Sequence, residues 1–136
     1  LSESKFPHEI PNTFEFAQIQ VGKLAEIMSS VRKSMKVSKN LAHMEVLDSG
    51  ASGAVNFVLG FSGKDVGIAY KERVDKGIYA VSVRGSPSCK THLGRLVSSV
   101  TSEIGGSGGG HDKACGAVIP KDKIKEFLKK MNSELG

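Results

Sequence analysis

Gly105-Gly-Ser-Gly-Gly-Gly-His-Asp-Lys-Ala-Cys-Gly116 gathers six glycines into twelve positions. This stretch constrains the chain more than any other. Glycine reaches φ > 0 without steric cost and lets another group come close to the backbone. Successive free amides in such a run make a concave anion site, and His111 and Lys113 stand beside it. The run is followed by Ala117, Val118 and Ile119, which read as a buried strand, so it is an anchored loop and not a flexible Gly/Ser linker. A nucleotide-binding P-loop needs Gly-Lys-Ser/Thr after its glycines, and Gly-His-Asp stands there instead.

The chain has 136 residues and 39% hydrophobic content, enough for one domain with a core of its own. It has no run of 18 apolar residues, so no membrane span is expected. The start, Leu1-Ser-Glu-Ser-Lys-Phe-Pro, lacks the basic and apolar regions of a signal peptide. It also lacks an initiator Met, and we expect a piece of a longer protein. A net charge of +5 permits an anionic partner without establishing one. Arg32, Lys33, Lys36 and Lys39 form an acid-free basic stripe, and Lys121, Lys123, Lys125, Lys129 and Lys130 crowd the last segment. Both clusters can equally be solvated helix faces.

Two cysteines, Cys89 and Cys115, make no disulfide framework and point to a reducing, cytoplasmic setting. With His92 and His111 they have conceivable zinc spacing. A core of this size has no need of a metal clip, and such spacings arise by chance, so no metal ligands are assigned.

The period of the apolar residues outlines an α/β fold, a mixed central β-sheet flanked by helices and preceded by a long linker helix. After an extended lead-in, Ala17, Val21, Leu24, Met28, Val31 and Met35 stripe a helix from Thr13 to about Lys39. Residues 1–40 are therefore read as lead-in and linker helix, and residues 41–136 as the binding domain. A strand is expected over Ala42 to Leu47 and a turn over 48–53. A helix follows from Ala54 to Leu59, ending near Gly60 or Gly63. Val66 to Glu72 and Ile78 to Val83 form a hairpin around Asp75-Lys-Gly77, with Val66, Ile68 and Tyr70 inward. Thr91 to Ile104 is helical, with Leu93, Leu96, Val97, Val100 and Ile104 on one face. After the glycine loop come a strand over Ala117 to Ile119 and a last helix opened by Pro120, whose core stripe is Ile124, Phe127, Leu128 and Met131.

Functional loops gather at strand ends in such sheets. Arg84 closes a central strand and offers a forked donor suited to phosphate. Ser86 follows it. The amides of Gly108, Gly109, Gly110 and His111, with His111 and Lys113 themselves, offer further donors. Two loops are thus expected to meet in a phosphate-recognition site. Each member has a plainer use: Arg84 can pair with a surface acid, His111 can bond a backbone carbonyl, and Lys113 can be solvated.

Ser82-Val-Arg84-Gly-Ser86, then an amphipathic helix, then Gly108-Gly-Gly-His-Asp-Lys-Ala-Cys-Gly-Ala117 resembles the DHH-associated C-terminal domain of the DHH phosphoesterases. RecJ-type exonucleases and small-oligonucleotide phosphodiesterases carry such domains. The resemblance runs from about Leu41 to Met131, with the leading helix similar to the one joining the two lobes there. Cys115 stands where a small residue, usually Ala, is common. The resemblance implies that the domain grips a phosphate or sugar backbone and presents it to a metal-bearing lobe, and Arg84, Gly109, Gly110 and His111 match its motif positions. Ser86 and Lys113 rest on their chemistry alone. The family's Asp-His-His motif is absent from the sequence, so Mn2+ or Mg2+ is expected only in a catalytic lobe that this chain lacks, and the chain alone is expected not to hydrolyse phosphodiesters.

The expected ligand is single-stranded nucleic acid or its end, held mainly by its phosphates. With no Trp, two Tyr and six Phe, base stacking is not expected to dominate. Two alternatives stay open. One is the substrate-binding fragment of an oligonucleotide or cyclic-dinucleotide phosphodiesterase. The other is a non-catalytic RecJ-like subunit that docks on replication proteins such as the GINS complex.

Overall fold

The computed structural model describes residue 29 and residues 33–47 and 51–135. Six strands form one sheet: β1 (Lys36–Val37), β2 (Ala42–Glu45), β3 (Val66–Arg73), β4 (Ile78–Gly85), β5 (Ser107–Gly110) and β6 (Ala114–Pro120). Their order across the sheet is β1-β2-β3-β4-β6-β5. β2 and β3 run parallel, and all other neighbours are antiparallel. A parallel pair needs a crossover, and α1 (Ala51–Ser62) supplies it. α2 (Leu93–Ile104) links β4 to β5, and α3 (Ile124–Glu134) follows β6 through a short 3-10 turn, Lys121–Lys123.

The sheet is the expected mixed one, and helices cover both its faces. Successive strand residues point to opposite sides, so Gly67 and Ala69 of β3 lie under α1 while Val66 and Ile68 face α2 and α3. Four consecutive residues of β3 are buried for this reason. The α1 layer is small, built on Ala42, Met44 and Ala69 against Ala54, Val55 and Val58. The opposite layer is the main core. The apolar stripes of α2 (Leu93, Val97, Val100, Ile104) and α3 (Ile124, Phe127, Leu128, Met131) close on Val81, Val83 and Ile119. Phe127 is wholly buried there, and truncating such a residue costs about 3–5 kcal/mol. Asn40 ties the entrance of β2 to the last turn of α3: its amide N–H donates to Asn132 Oδ1 at 2.9 Å and its Nδ2 to the Asn132 carbonyl at 2.7 Å.

Five sequence expectations are corrected. The glycine run is not a loop, because residues 107–110 form edge strand β5, paired to β6. β6 accordingly starts at Ala114, earlier than Ala117. The leading helix does not reach Lys39, since Lys36 and Val37 pair with β2 as a strand. The upstream part of that helix and Arg32, the first residue of the acid-free stripe, lie outside the described residues. α1 also starts three residues ahead of Ala54. Pro120 ends β6 and precedes the 3-10 turn without entering α3. Among the described residues, no helix is long and apolar enough to cross a membrane.

Candidate ligand-binding site at one end of the sheet

Strand directions put the turns 38–41, 63–65, 85–92 and 111–113 at the same end of the sheet. The two expected loops do meet there. The Gly85 N–H donates to the Lys113 carbonyl at 2.9 Å, and Lys113 Nζ donates to the Cys89 carbonyl at 2.6 Å.

The hairpin turn between β5 and β6 is docked on the start of α2. The amides of Leu93 and Gly94 donate to the carbonyls of Asp112 and His111, at 2.8 and 3.0 Å. His92 is the N-cap, its Nδ1 accepting from the Arg95 amide at 3.1 Å. The next amide, of Leu96, bonds the His92 carbonyl. The first four amides of α2, the groups that make a helix start attractive to anions, are therefore already used by the protein.

The glycines make this docking possible. A Cβ on Gly94 would overlap the Gly110 carbonyl oxygen and lie 2.9 Å from that of His111. Gly109 and Gly110 adopt φ of 155° and 143°, a region essentially closed to other residues. Gly108 lies beneath Val97 of α2. The role of the glycine run is thus partly structural: it shapes a close helix–strand contact and carries His111 at its end.

Arg84, Ala114 and His111 form one row across β4, β6 and β5. Arg84 pairs with Ala114, and the His111 N–H donates to the Ala114 carbonyl at 2.9 Å. At about 4.8 Å per strand, Arg84 and His111 are about 10 Å apart along the backbone row. Val83 and Cys115, their neighbours, point into the main core, so alternation turns Arg84 and Ala114 to the opposite face. α1 covers that face only over β2, β3 and β4. Beyond it, among the described residues, the floor is built from Ala114, Gly116 and Gly109, with Ser82 of β4 at its border, and Val118 is exposed.

Arg84 spends one donor, Nη1, on the Val83 carbonyl at 3.0 Å, leaving the rest of its fork. His111 is exposed. Lys113 Nζ is positioned by a carbonyl and not by a carboxylate. Ser86 is more fully engaged: its hydroxyl donates to Asp65 Oδ1 at 2.9 Å and accepts the Ser88 amide at 3.2 Å. Burial pushes the Cys115 thiol up to about 11, and the nearby Arg84 only partly opposes this, so Cys115 is no thiolate nucleophile at neutral pH.

Two features escaped the sequence reading. His92 caps α2, a role signalled only by its place just ahead of the apolar stripe. Lys39, Lys64 and Lys90 line one cleft of about 450 Å³, although they are far apart in sequence. Among the described residues, no three His, Cys, Asp or Glu side chains stand close enough to share a metal ion. The residues present therefore do not fit a catalytic cation, and no metal step is assigned to them.

Residues 39–136 match the family model described as the DHHA1 domain. Over 41 residues the chain is 55% identical to the uncharacterized protein MJ0831 of Methanocaldococcus jannaschii, a match covering 30% of this chain and 10% of that protein. Among solved structures, the fold is similar to the pGpG-specific phosphodiesterase PggH of Vibrio cholerae (TM-score 0.70, 16% identity, 92% of this chain and 43% of that one). It is also similar to RecJ of Thermus thermophilus, solved with Mg2+ (TM-score 0.53, 14% identity, 88% of this chain and 18% of that one). The chain thus spans only a minor part of each of these proteins.

Proposed function

Because the chain belongs to the DHHA1 domain family, we propose that it is the substrate-binding domain of a RecJ-like DHH phosphoesterase. It grips the phosphates of a single nucleic-acid strand or its end and offers them to a metal-bearing lobe. The observation that carries this reading is the row Arg84–Ala114–His111, which starts on β4, the last strand under α1, and runs out over β6 and β5, which α1 leaves uncovered. A forked guanidinium and an imidazole flank a floor without bulky side chains, so a sugar-phosphate backbone can lie flat between them. Arg84 supplies paired donors to phosphate oxygens. His111 adds a ring N–H donor, and Lys113 adds charge. Mn2+ or Mg2+ belongs to the catalytic lobe, where it would activate water for attack at phosphorus.

The test is fluorescence anisotropy over a salt series, using labelled single-stranded DNA and RNA with and without a 5′ phosphate. Wild type should bind with an affinity that falls linearly in log–log form with salt. Arg84→Ala and His111→Ala should each weaken binding about tenfold or more, since a hydrogen bond to a charged group contributes roughly 1.5–3 kcal/mol. Binding indifferent to both substitutions sinks the reading. A dinucleotide that binds as tightly as a long strand shifts it to the short-ligand form, for which the likeness to PggH is the supporting observation.

A further inference from the structure

The cleft lined by Lys39, Lys64 and Lys90 opens at the same end of the sheet as the Arg84–His111 row. It lies between the entrances of β2 and β3 and the β4–α2 loop, with Asn40, Ser88 and Thr91 also in its wall. Lys64 Nζ donates to the Lys39 carbonyl at 3.0 Å, which fixes the ammonium without cancelling its charge. Among the described residues, the single acid in the cleft wall is Asp65, and its carboxylate already accepts from Ser86. Cys89 lines the same cleft and receives Lys113 Nζ from the hairpin turn, so the basic groups continue from the cleft to the row. Across β2, β3, β4, β6 and β5 the end of the sheet carries Lys39, Lys64, Lys90, Lys113 and His111 against two acids, Asp65 and Asp112. Four strand spacings make this rim about 19 Å long. At about 3.4 Å per nucleotide, the spacing of a strand stacked as in a duplex, that is at most about five or six nucleotides, and fewer for an extended single strand.

We propose that this cleft is a second phosphate site, holding the backbone of the same strand whose other phosphates lie at Arg84 and His111. The ligand then runs across the end of the sheet, and the site is built for an oligonucleotide longer than two residues. The inference rests on the function proposed above.

The experiment is a length series of labelled single strands (two, four, six, eight and twelve nucleotides) over a salt range, using the 136-residue chain. The variants are the double substitution Lys64→Gln/Lys90→Gln, the charge-matched Lys125→Gln/Lys129→Gln on exposed positions of α3, and Arg84→Ala. Thermal melts confirm that each variant is folded. Affinity should rise with length beyond the dinucleotide and level off by about six nucleotides. Lys64→Gln/Lys90→Gln should weaken the eight-mer about tenfold, with a smaller loss for the dinucleotide, and lower the salt slope by about 1.4, two contacts at roughly 0.7 each. Lys125→Gln/Lys129→Gln should do neither. If the two double variants behave alike, or affinity does not rise beyond the dinucleotide, the second site is overturned while the Arg84 reading stands. If Arg84→Ala binds every length like wild type, the proposed function fails and the continuous track fails with it.

Discussion

At the end of the sheet that carries the β3–β4 hairpin, Lys121 Nζ lies 2.7 Å from Glu72, and the Tyr79 hydroxyl donates to Glu45 Oε2 at 3.3 Å. At the opposite end, Lys64 and Lys113 donate to the carbonyls of Lys39 and Cys89. The first arrangement consumes charge, and the second holds it in place and leaves it for an anion. Exposed ion pairs contribute little to stability, so stability alone does not account for the difference. It teaches that one sheet can serve as a scaffold at one end and as a charged surface at the other.

The contrast is broken most severely at a glycine. Gly94→Ala should destabilise the chain by about 3 kcal/mol or more, because the added methyl meets the backbone of the hairpin, which cannot give way as a side chain can. Gly77→Ala in the far hairpin should cost only about 1–2 kcal/mol, the ordinary penalty of a left-handed residue, since φ is 65° with open space around it. Urea denaturation of the two variants measures this, and equal losses would remove the special status of the α2–hairpin contact.

A smaller effect separates the two ends by pH. Cys115 at the ligand end is pushed up from 9.0 to about 11 by burial. Above pH 9 the unfolded chain therefore releases this proton while the folded chain keeps it, so stability falls as pH rises from 9 towards 11. Tyr79 at the far end is raised from 10.0, chiefly by burial with Glu45 adding to it. Lys121 is raised from 10.5, chiefly by its hydrogen bond to Glu72. Their contributions are likewise complete below those values and fade only above them. Urea midpoints measured between pH 8 and 10 should decline in wild type and stay flatter in Cys115→Ala. A decline identical in both would show that the thiol is not responsible.

The smallest effect is an expected near-absence. Lys121→Gln removes one positive charge, as does a single substitution in the basic cleft, yet the salt slope for single-stranded DNA should stay within error of wild type. A slope reduced by about 0.7 would mean that the hairpin end also meets the ligand.

The periodic parts of this fold were readable in the sequence. The stripes of α2 and α3, the hairpin at Asp75-Lys-Gly77 and the meeting of Arg84 with the glycine-rich segment all rest on local patterns. The strand character of residues 107–110 was hidden because glycine has low strand preference. What makes the strand is its ladder to β6, packed under Gly94 and Val97, which no local pattern reports. The end of the leading helix was missed for a similar reason, as Lys36 and Val37 are drawn into the sheet by β2. The lysine cleft was invisible because its residues come from three turns that only the strand order brings together.

The bonds from the Leu93 and Gly94 amides to the hairpin carbonyls have a consequence for the thermodynamics of recognition. They fix the backbone at His111 before any ligand arrives. A loop of free glycines would have to surrender its conformational entropy on binding, whereas here that cost was met during folding. In the proposed complex, association would then lose little freedom at this turn, and contacts made by His111 would carry over into affinity with little deduction for ordering.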